Sequence, residues 1–449
     1  MNEASWTAAF ATLGCKLNQF ETDSLATRMR DGGYRIVGFD EQADVYVVNT
    51  CTVTNRADRK SRNLFNRALR RSEPAGQDAR RPLVVLTGCF VDSHRDELER
   101  DGSTYIVAND RKQSIPELVD AHFRGEIVHP QGSVFDFPVP DRIFHTRSTV
   151  KIQDGCDNFC TFCIIPSVRG RAASRPWRDV EEAVGEAVAG GAREVVLTGV
   201  NMSRYRDGAV DFTELVARCL NVAPAAATDF RLRISSLEPD GLTERFIGLF
   251  SHPRMAPHLH LCVQSASERL LLAMRRQYRY DQYTDLVHAL RAVDPLFNIT
   301  TDMLVGFPTE NDEDFAASLA AVDEIGFGHV HTFPYSVRRG TRAERMAGQV
   351  PARIKTERSA LIRDAAESAK RRYRERLVGA TERLLVERAE PIGGTLRLSG
   401  LGEHYVPISL EIPAPHGIRS AADSENTFVP VRIVAVDSGD DPVLRAEPA

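Results

Sequence analysis

Short apolar runs alternate with helix-like segments along most of the first 336 residues, and this alternation constrains the fold more than any other feature. Within the first 125 residues the strand candidates are FATLG (10–14), DVYVVNT (44–50) and PLVVLTG (82–88). The segments NQFETDSLATRMRDGG and TNRADRKSRNLFNRALRRS between them have helical periodicity. Asn18 is predicted to cap the first helix, and Gly32 with Gly33 is predicted to end it. Strands that alternate with helices predict an N-terminal doubly wound parallel α/β domain.

The alternation resumes after a proline-containing segment at 126–146, which we predict to be a linker. Helical stretches such as DVEEAVGEAVAGGA (179–192) and ENDEDFAASLAAVDEIG (310–326) separate six further strand candidates. These candidates are VKI (150–152), EVVLTG (194–199), FRLRIS (230–235), HLHLCVQ (258–264), ITTDMLVG (299–306) and HVHTFPYS (329–336). Six β/α units predict a central partial or complete (β/α)6 barrel, with its active site at the C-terminal strand ends.

A long charged helix is predicted at roughly 351–377, and the chain beyond it has short strands with turn residues between them. The strand segments are TERLLVERAE, GTLRLSG, EHYVPISLEI and FVPVRIVAVD. This pattern is typical of a small C-terminal β-barrel of the OB type. We therefore expect a multidomain α/β protein with domains at 1–130, 142–375 and 376–445.

Several classes of protein are excluded by composition. No apolar run approaches the roughly 20 residues that a membrane-spanning helix requires. The start of the chain, MNEASWTAAFATLG, lacks the features of a secretory signal, so a cytoplasmic location without membrane contact is expected. Eight cysteines in 449 residues do not form a small disulfide scaffold. Clustered cysteines in a reducing compartment more often bind metal or take part in redox chemistry.

The formal net charge of −5 gives no argument for nucleic acid binding, but local charge does. The first basic run extends from Arg56 to Arg81 and has nine basic residues against the acidic residues Asp58, Glu73 and Asp78. The basic residues are Arg56, Arg59, Lys60, Arg62, Arg67, Arg70, Arg71, Arg80 and Arg81. A second basic run, KRRYRER, occupies 370–376. Either run alone is typical of a solvated helix face. Together they favour contacts with RNA phosphates.

The segment IQDGCDNFCTFCIIP places Cys156, Cys160 and Cys163 within eight positions. Cysteine thiolates hold iron–sulfur clusters, commonly four of them per cubane. Three ligands from one loop would leave one iron open to a ligand that is not protein. The alternatives are packing, or a structural zinc ion completed by Cys219, Cys262 or a histidine, although zinc ligands usually come as spaced pairs.

Three further cysteines, Cys15, Cys51 and Cys89, each follow a predicted strand of the N-terminal domain. Ligands of open α/β sheets bind at the carboxyl ends of the strands. Parallel neighbouring strands would therefore bring these three residues together. Cys219, in FTELVARCL, has instead the pattern of a packing residue on a helix.

The segment IQDGCDNFCTFCIIPSVRGRAASRP closely resembles the CxxxCxxC loop of radical S-adenosylmethionine (SAM) enzymes, specifically the methylthiotransferase family. The resemblance implies a catalytic [4Fe–4S] cluster at Cys156, Cys160 and Cys163. Its open iron would chelate SAM, and reductive cleavage of SAM would yield a 5′-deoxyadenosyl radical. The resemblance also implies an auxiliary [4Fe–4S] cluster, whose open iron would hold the inserted sulfur; its ligands would be Cys15, Cys51 and Cys89.

By the same resemblance, polar residues at the barrel strand ends would bind SAM. They are Thr198, Gly199, Asn201, Ser235, Glu238, Gln264 and Asp302. The sequence departs from the family pattern at Cys262, where serine is more common, and at Ala266, where glycine is expected. The C-terminal barrel resembles a TRAM RNA-binding module, in which Arg397, His404 and Tyr405 are candidate RNA contacts.

The segments TLGCKLNQFETDS and NTCTVTNRADRKSR resemble the group of this family that acts on tRNA N6-threonylcarbamoyladenosine. The resemblance implies 2-methylthiolation at C2 of that base, with the tRNA anticodon stem-loop and an electron donor such as flavodoxin as partners. The alternatives within the family are isopentenyladenosine in tRNA and an aspartate of a ribosomal protein. An alternative of another class is a non-catalytic, metal-containing RNA-binding protein.

Overall fold

The computed structural model describes residues 6–72, 81–98, 104–129, 131–140, 146–222, 229–413, 421–439 and 441–449. The chain divides into two compact units. The first contains the residues up to Pro176 together with Thr198–Asn201 and Ser336–Glu344. The second contains Trp177–Leu197, Met202–Tyr335 and Arg345–Ala449. The division into three domains stays a prediction. No helix in the described ranges is both long and apolar enough to cross a membrane.

The first unit is built on a five-stranded sheet in which every strand pair is parallel, in the order β2-β1-β3-β4-β5. Its strands are β1 (Thr7–Thr12), β2 (Arg35–Val37), β3 (Val45–Thr50), β4 (Leu83–Gly88) and β5 (Thr104–Val107). Every residue of the two central strands is buried, as their continuous apolar runs require. The predicted doubly wound α/β domain is confirmed.

The helices of the first unit follow the strands as the periodicity predicts. They are α1 (Lys16–Asp31), α2 (Asn55–Arg71), α3 (Cys89–Ser93), α4 (Ile115–Arg124) and α5 (Ile165–Arg169). The predicted N-cap at Asn18 is wrong, because α1 begins directly after Cys15. The Asn18 amide instead donates hydrogen bonds to the carbonyls of Leu13 (2.8 Å) and Thr50 (3.0 Å). The predicted end at Gly32 is confirmed.

The segment predicted as a linker belongs partly to the core of the first unit. Residues 126–129 and 131–140 contain no helix or strand. Phe137 nevertheless packs edge-on against Phe20 of α1, with 5.8 Å between the ring centroids. The Ser24 hydroxyl donates a hydrogen bond to the Pro138 carbonyl. Three short strands follow: β6 (Ser148–Lys151), β7 (Gln153–Asp154) and β8 (Ala173–Ser174).

Each of the six strand segments predicted for the middle of the chain contains a strand. After β8 the strands are β9 (Glu194–Thr198), β10 (Arg206–Asp207), β11 (Val210–Asp211), β12 (Arg231–Ile234), β13 (Ser236–Leu237), β14 (His258–Leu261), β15 (Asn298–Val305) and β16 (His329–Pro334). Strands β13, β14, β15 and β16 are parallel neighbours in that order, and β9 pairs in parallel with β12. This is the pairing of a partial (β/α)6 barrel.

Helices connect these strands and lead out of the barrel. They are α6 (Trp177–Ala189), α7 (Phe212–Leu220), α8 (Glu244–Gly248), α9 (Glu268–Ala273), α10 (Tyr280–Val293), α11 (Asp312–Ile325), α12 (Ala352–Arg376) and, near the C terminus, α13 (Ala421–Ser424). The predicted long charged helix is α12.

The C-terminal strands form a closed barrel in the order β17-β18-β19-β21-β20. The strands are β17 (Thr381–Ile392), β18 (Thr395–Leu401), β19 (Pro407–Pro413), β20 (Phe428–Val436) and β21 (Leu444–Pro448). Alternate residues such as Leu384, Leu398 and Val431 fill its interior. The predicted barrel is confirmed, and β21 is a strand that the sequence analysis did not find.

Candidate metal centres

Cys15, Cys51 and Cys89 follow three adjacent parallel strands at the same edge of the sheet. The last residues of β3 and β4, Thr50 and Gly88, are register partners, so Cys51 and Cys89 leave neighbouring strand ends. Gly14, directly before Cys15, has a φ of +107°. A Cβ atom at Gly14 would lie 3.1 Å from Cys51 Sγ and 2.9 Å from its Cβ. The chain at Cys15 therefore passes directly against Cys51.

The three thiols of this set influence one another electrostatically. Burial, together with the neighbouring Cys89 and Cys15 and against a hydrogen bond from the Val53 backbone, raises the pKa of the Cys51 thiol to about 12. Burial also raises the pKa of Cys89. All three cysteines are free of disulfide bonds. They form a compact set of three thiols that could serve as metal ligands.

The second set of cysteines lies on one loop between β7 and α5. The Cys156 backbone N–H donates to the Gly170 carbonyl (3.2 Å), and the Cys163 N–H donates to the Cys160 carbonyl (3.0 Å). Gly155 has a φ of +69°, and a Cβ there would lie 2.0 Å from the Arg171 carbonyl oxygen. The glycine before Cys156 is thus required for the loop to pass so close to the chain after α5.

The two sets of cysteines are joined by packing within the first unit. Cys89, at the start of α3, packs against Ile164 and Val168. Ile164 is the residue after Cys163. The Asn109 side-chain amide donates to the Val168 carbonyl (2.9 Å) and points at Cys89 Sγ (3.7 Å). The strand-end set and the loop set therefore share one packed neighbourhood.

Five buried charged residues lie beside these cysteines, and we name them the buried charge cluster. The cluster consists of Glu21, Lys112, Lys151, Asp154 and Arg169. Glu21 accepts hydrogen bonds from Lys112 Nζ (2.5 Å), Lys151 Nζ (3.0 Å) and Arg169 Nη1 (3.0 Å). Asp154 pairs with Lys151 Nζ (2.6 Å) and with Arg169 Nη1 (3.0 Å).

The buried charge cluster contains three cations and two carboxylates, which leaves one positive charge in excess. Burial acts to raise the pKa of Glu21, but Arg169, Lys112 and Lys151 outweigh it and hold that pKa well below its usual range. The charges of Arg169 and Lys112 also act on Cys89, where they favour the thiolate. An excess positive charge next to a thiol is what an anionic iron–sulfur cluster with thiolate ligands needs. The residues present therefore fit such a cluster.

The loop set has its own hydrogen-bond donors. The Asn201 side-chain amide lies 3.7 Å from Cys156 Sγ, and the Asn158 backbone N–H lies 3.5 Å from the same sulfur. Hydrogen bonds to ligand sulfurs stabilise the thiolate form and tune a cluster. Three thiols with such donors also fit a cubane held by three protein ligands.

The sequence of the whole chain has known relatives. The threonylcarbamoyladenosine tRNA methylthiotransferase MtaB of Thermotoga maritima is 34% identical over 439 residues, covering 96% of this chain and 98% of the relative. The chain belongs to the radical SAM methylthiotransferases of the MtaB type. Residues 7–108 match the model "Uncharacterized protein family UPF0004", and residues 150–322 match the radical SAM superfamily.

Two further comparisons place this methylthiotransferase among its relatives. The tRNA-2-methylthio-N(6)-dimethylallyladenosine synthase of Methylibium petroleiphilum is 32% identical over 387 residues, covering 84% of this chain and 83% of the relative. The solved structure of the radical SAM methyltransferase TsrM from Kitasatospora setae, with cobalamin and a [4Fe–4S] cluster bound, has a TM-score of 0.55 at 14% identity. That match covers 76% of this chain and 77% of TsrM and shows a shared fold. As a radical SAM methylthiotransferase, the protein uses [4Fe–4S] clusters and SAM as cofactors.

Three of the residues predicted to bind SAM lie in the same unit as the cysteines. Asn201 is buried, and its backbone N–H donates to Gln153 Oε1 (2.7 Å) while its side chain points at Cys156. The buried Thr198 accepts a hydrogen bond from the Ile152 N–H (2.9 Å). Gly199 lies between them and is partly exposed.

The other four predicted SAM residues lie in the second unit. Glu238 forms an ion pair with Arg276, and burial raises its pKa in spite of this partner. Gln264 has a left-handed backbone (φ 62°), and its N–H donates to the Asp302 carbonyl (2.9 Å). Ser235 is buried at the end of β12. The roles of these residues toward SAM stay a prediction.

The predicted RNA contacts of the C-terminal barrel have partners within the protein. His404 is buried and pairs with Glu382 and Asp294. The Tyr405 ring packs on His258, with 4.7 Å between centroids, and the Arg233 guanidinium lies over it. Only Arg397, which pairs with Glu411, is open to solvent to a substantial degree.

The two basic runs differ in their surroundings. In KRRYRER every cation has a partner within the second unit, as when Lys370 and Arg374 both pair with Asp441. Arg372 pairs with Asp323. The cations of this run are therefore held by partners within the protein, and their contact with RNA stays a prediction. On α2, by contrast, the side chains of four exposed cations have no ion pair or hydrogen bond to another described residue; the four are Arg56, Arg59, Lys60 and Arg70. Arg80, Glu73 and Asp78 lie outside the described residues.

Sequence reasoning did not identify the buried charge cluster or Asn109. Lys151 and Asp154 lie on either side of Ile152 and Gln153, just before Gly155 and Cys156, and a charged pair beside a predicted buried strand was the available signal. Asn109 gave no signal, since it lies 20 residues from Cys89. The cysteine expected to pack, Cys219, is buried on α7, and burial raises its pKa to about 12.

Proposed function

We propose that the protein adds a methylthio group to C2 of N6-threonylcarbamoyladenosine, the base next to the anticodon of tRNA. The relative that aligns with nearly the whole chain is named for this nucleoside. The observation that carries the proposal is the packing of Cys89 against Ile164, the residue after Cys163. It brings two sets of three thiols into one neighbourhood, as an enzyme that joins sulfur insertion to radical chemistry requires.

Each set of cysteines would hold one [4Fe–4S] cluster and leave one iron for a ligand that is not protein. When bound, the clusters and SAM would supply the sulfur, the methyl group and the radical for substitution at C2, with electrons from an external donor. The chain contributes three thiolates to each cluster and directs an amide donor to each set, Asn109 at Cys89 and Asn201 at Cys156. The excess positive charge of the buried charge cluster offsets the negative charge of the nearby thiolates.

The residues predicted to bind SAM are part of the proposal. Asn201 lies 3.7 Å from the sulfur of Cys156, a candidate cluster ligand, so it is the first to test. The remaining predicted residues, Thr198, Gly199, Ser235, Glu238, Gln264 and Asp302, are proposed on the family resemblance.

The exposed cations of α2 are proposed to contact tRNA phosphates. Arg59 and Lys60 are adjacent and solvent-exposed, and unpaired cations release counterions when they bind phosphates. The target base must leave its stack for C2 to be reached, which unpaired loop nucleotides permit at modest cost.

We also retain a TRAM-like, RNA-binding role for the C-terminal barrel. Of its three candidate RNA contacts, Arg397 is the one with a substantially exposed side chain. A flavodoxin-type electron donor and a cytoplasmic location are proposed because the reaction needs reducing equivalents and tRNA.

Mass spectrometry of tRNA nucleosides tests the function. A strain that lacks the gene should lose 2-methylthio-N6-threonylcarbamoyladenosine and accumulate the unmethylthiolated base. The wild-type gene should restore the modification, whereas Cys156→Ala and Cys89→Ala variants should not. A matched Cys219→Ala variant, which removes a cysteine buried on α7, should restore it.

The same deletion strain separates the alternatives. Loss of the 2-methylthio mark from isopentenyladenosine in tRNA, or loss of a methylthio group from an aspartate in peptides of a ribosomal protein, would replace the proposed substrate by another of the same family. Anaerobic reconstitution of the iron–sulfur clusters tests the alternative of another class, a non-catalytic, metal-containing RNA-binding protein. About eight irons per chain, with reductive cleavage of SAM, are expected from two cubanes. A chain without SAM cleavage would be a non-catalytic RNA-binding protein.

A further inference from the structure

Three side chains of types that bind metals meet on adjacent strands of the second unit. His260 is on β14, Cys262 follows the end of β14, and Asp302 is on β15. The two strands are parallel, with His260 paired in register with Thr300. Residues two apart on a strand face the same side, so His260 and Cys262 project together toward Asp302. One ligand atom from each of the three residues lies within 4.8 Å of the others.

We propose that His260, Cys262 and Asp302 form a binding site for a divalent transition-metal ion of the zinc class, separate from the iron centres. The distances support this proposal. His260 Nε2 lies 3.2 Å from Asp302 Oδ1, and Cys262 Sγ lies 3.9 Å from Asp302 Oδ2. Ligand atoms at ordinary zinc bond lengths in a tetrahedron are about 3.3–3.7 Å apart. A small movement of the side chains would therefore suffice to bind the ion.

The neighbouring residues orient these ligands as metal sites require. His260 Nδ1 lies 3.0 Å from Thr300 Oγ1. When Nδ1–H donates to that hydroxyl, Nε2 keeps its lone pair for a metal ion. The Cys262 carbonyl accepts hydrogen bonds from the Tyr278 hydroxyl (2.7 Å) and from Arg276 Nη2 (3.2 Å), which holds the backbone that carries the thiol.

The ligand set also indicates which metal would bind. One thiolate, one carboxylate and one neutral imidazole together carry two negative charges, which offset the charge of a divalent ion and limit the cost of binding it in a partly buried position. A single thiolate is too few for an iron–sulfur cluster. Mixed nitrogen, sulfur and oxygen ligands suit Zn²⁺, and three protein ligands leave a fourth position for water or an exchangeable ligand. Asp302 is also a predicted SAM contact, so zinc and SAM would compete for it.

The test uses the full chain with both iron–sulfur clusters reconstituted, so that the six cluster cysteines are occupied. The protein is equilibrated anaerobically with one equivalent of zinc chloride, desalted and analysed for zinc and iron by mass spectrometry. We expect about one zinc per wild-type chain with unchanged iron. Cys262→Ser and His260→Gln should lose this zinc, whereas Cys219→Ser should keep it. Thr300→Val, which removes only the hydroxyl beside His260, should weaken zinc binding about 10–100-fold.

X-ray absorption at the zinc edge identifies the ligands in the presence of iron. One sulfur with nitrogen and oxygen neighbours is expected for the wild-type protein. Two or more sulfur ligands would place the zinc at the cluster cysteines and overturn the proposal. Equal zinc content in wild-type and Cys262→Ser protein would overturn it as well. Neither outcome depends on methylthiotransferase activity, so the site and the proposed function are tested separately.

Discussion

Arg169 Nη1 lies 3.0 Å from Glu21 Oε1, and the two side chains are 2% and 1% exposed. Arg169 is the last residue of α5, six positions after Cys163, and Glu21 is on α1, six positions after Cys15. The pair therefore connects the elements that carry the two sets of cysteines. A second hydrogen bond, from Arg169 Nη2 to Asn18 Oδ1 (2.6 Å), connects the same two elements. The relative positions of the cysteines depend on this buried contact.

Glu21→Gln should destabilise the first unit strongly. Removal of this carboxylate leaves three buried cations against Asp154 alone. Breaking a buried ion pair in this way costs about 3–5 kcal/mol. The measurement is urea denaturation of the cluster-free chain, followed by Trp6 fluorescence in a Trp177→Phe background. Glu117→Gln is the control, because the Arg28–Glu117 pair is 38% and 46% exposed and is worth less than about 1 kcal/mol. Equal shifts for both variants would contradict the prediction.

Gly14→Ala should remove the auxiliary cluster and leave the other one. A methyl group at Gly14 would meet Cys51 Cβ at 2.9 Å, and the φ of +107° is strained for alanine. We expect the iron content after reconstitution to fall from about eight to about four per chain. Gly33→Ala is a matched control, because Gly33 has a φ of +95° with no atom within 4 Å of an added Cβ. If Gly33→Ala loses as much iron, backbone strain rather than contact with Cys51 is the cause.

The stability of the second unit should fall as the pH rises from about 6.5 to about 9. Burial acts to lower the pKa of His404, but the hydrogen bonds and charges of Asp294 and Glu382 outweigh it and raise the pKa to about 9. A group with a raised folded-state pKa stabilises fully below its unfolded value, near 6.5, and loses this contribution through pH 9. The expected loss is on the order of 3 kcal/mol.

Urea midpoints at several pH values, followed by Trp177 fluorescence in a Trp6→Phe background, measure this loss. His404→Gln should abolish the slope between pH 6.5 and 9. His288→Gln, a substitution of an exposed histidine on α10, should keep it. A wild-type slope that persists in His404→Gln would assign the effect to another group.

Arg59→Ala and Lys60→Ala should each weaken tRNA binding and reduce its salt dependence. A cation that contacts a phosphate contributes about one unit to the slope of log K against log salt concentration. Binding isotherms of an anticodon stem-loop at several salt concentrations give this slope. Arg372→Ala, which removes a cation already paired with Asp323, should leave the slope unchanged. If Arg372→Ala reduced the salt dependence of binding and the α2 variants did not, the tRNA interface would lie on α12 and not on α2.

The strand and helix order could be predicted from the sequence because it depends on local periodicity. The strands at 45–50 and 83–88 are largely apolar runs of six residues, which is typical of strands buried on both faces of a parallel sheet. The six cysteines could be found for a related reason. Three of them are close in sequence, and the other three each follow a predicted strand, so parallel pairing alone brings them to one edge.

What the sequence determined by itself is therefore the order of the elements and the identity of the candidate metal ligands, since both depend on neighbouring residues in the chain. Only the tertiary structure decided which charges are buried. Glu21, Lys112 and Arg169 come from three distant segments and resemble ordinary surface residues until folding removes them from water together. His404 and Lys370 likewise have no local signal of burial, yet folding buries both beside carboxylates of the second unit. Burial of a charge depends on residues far along the chain, and no local pattern records it.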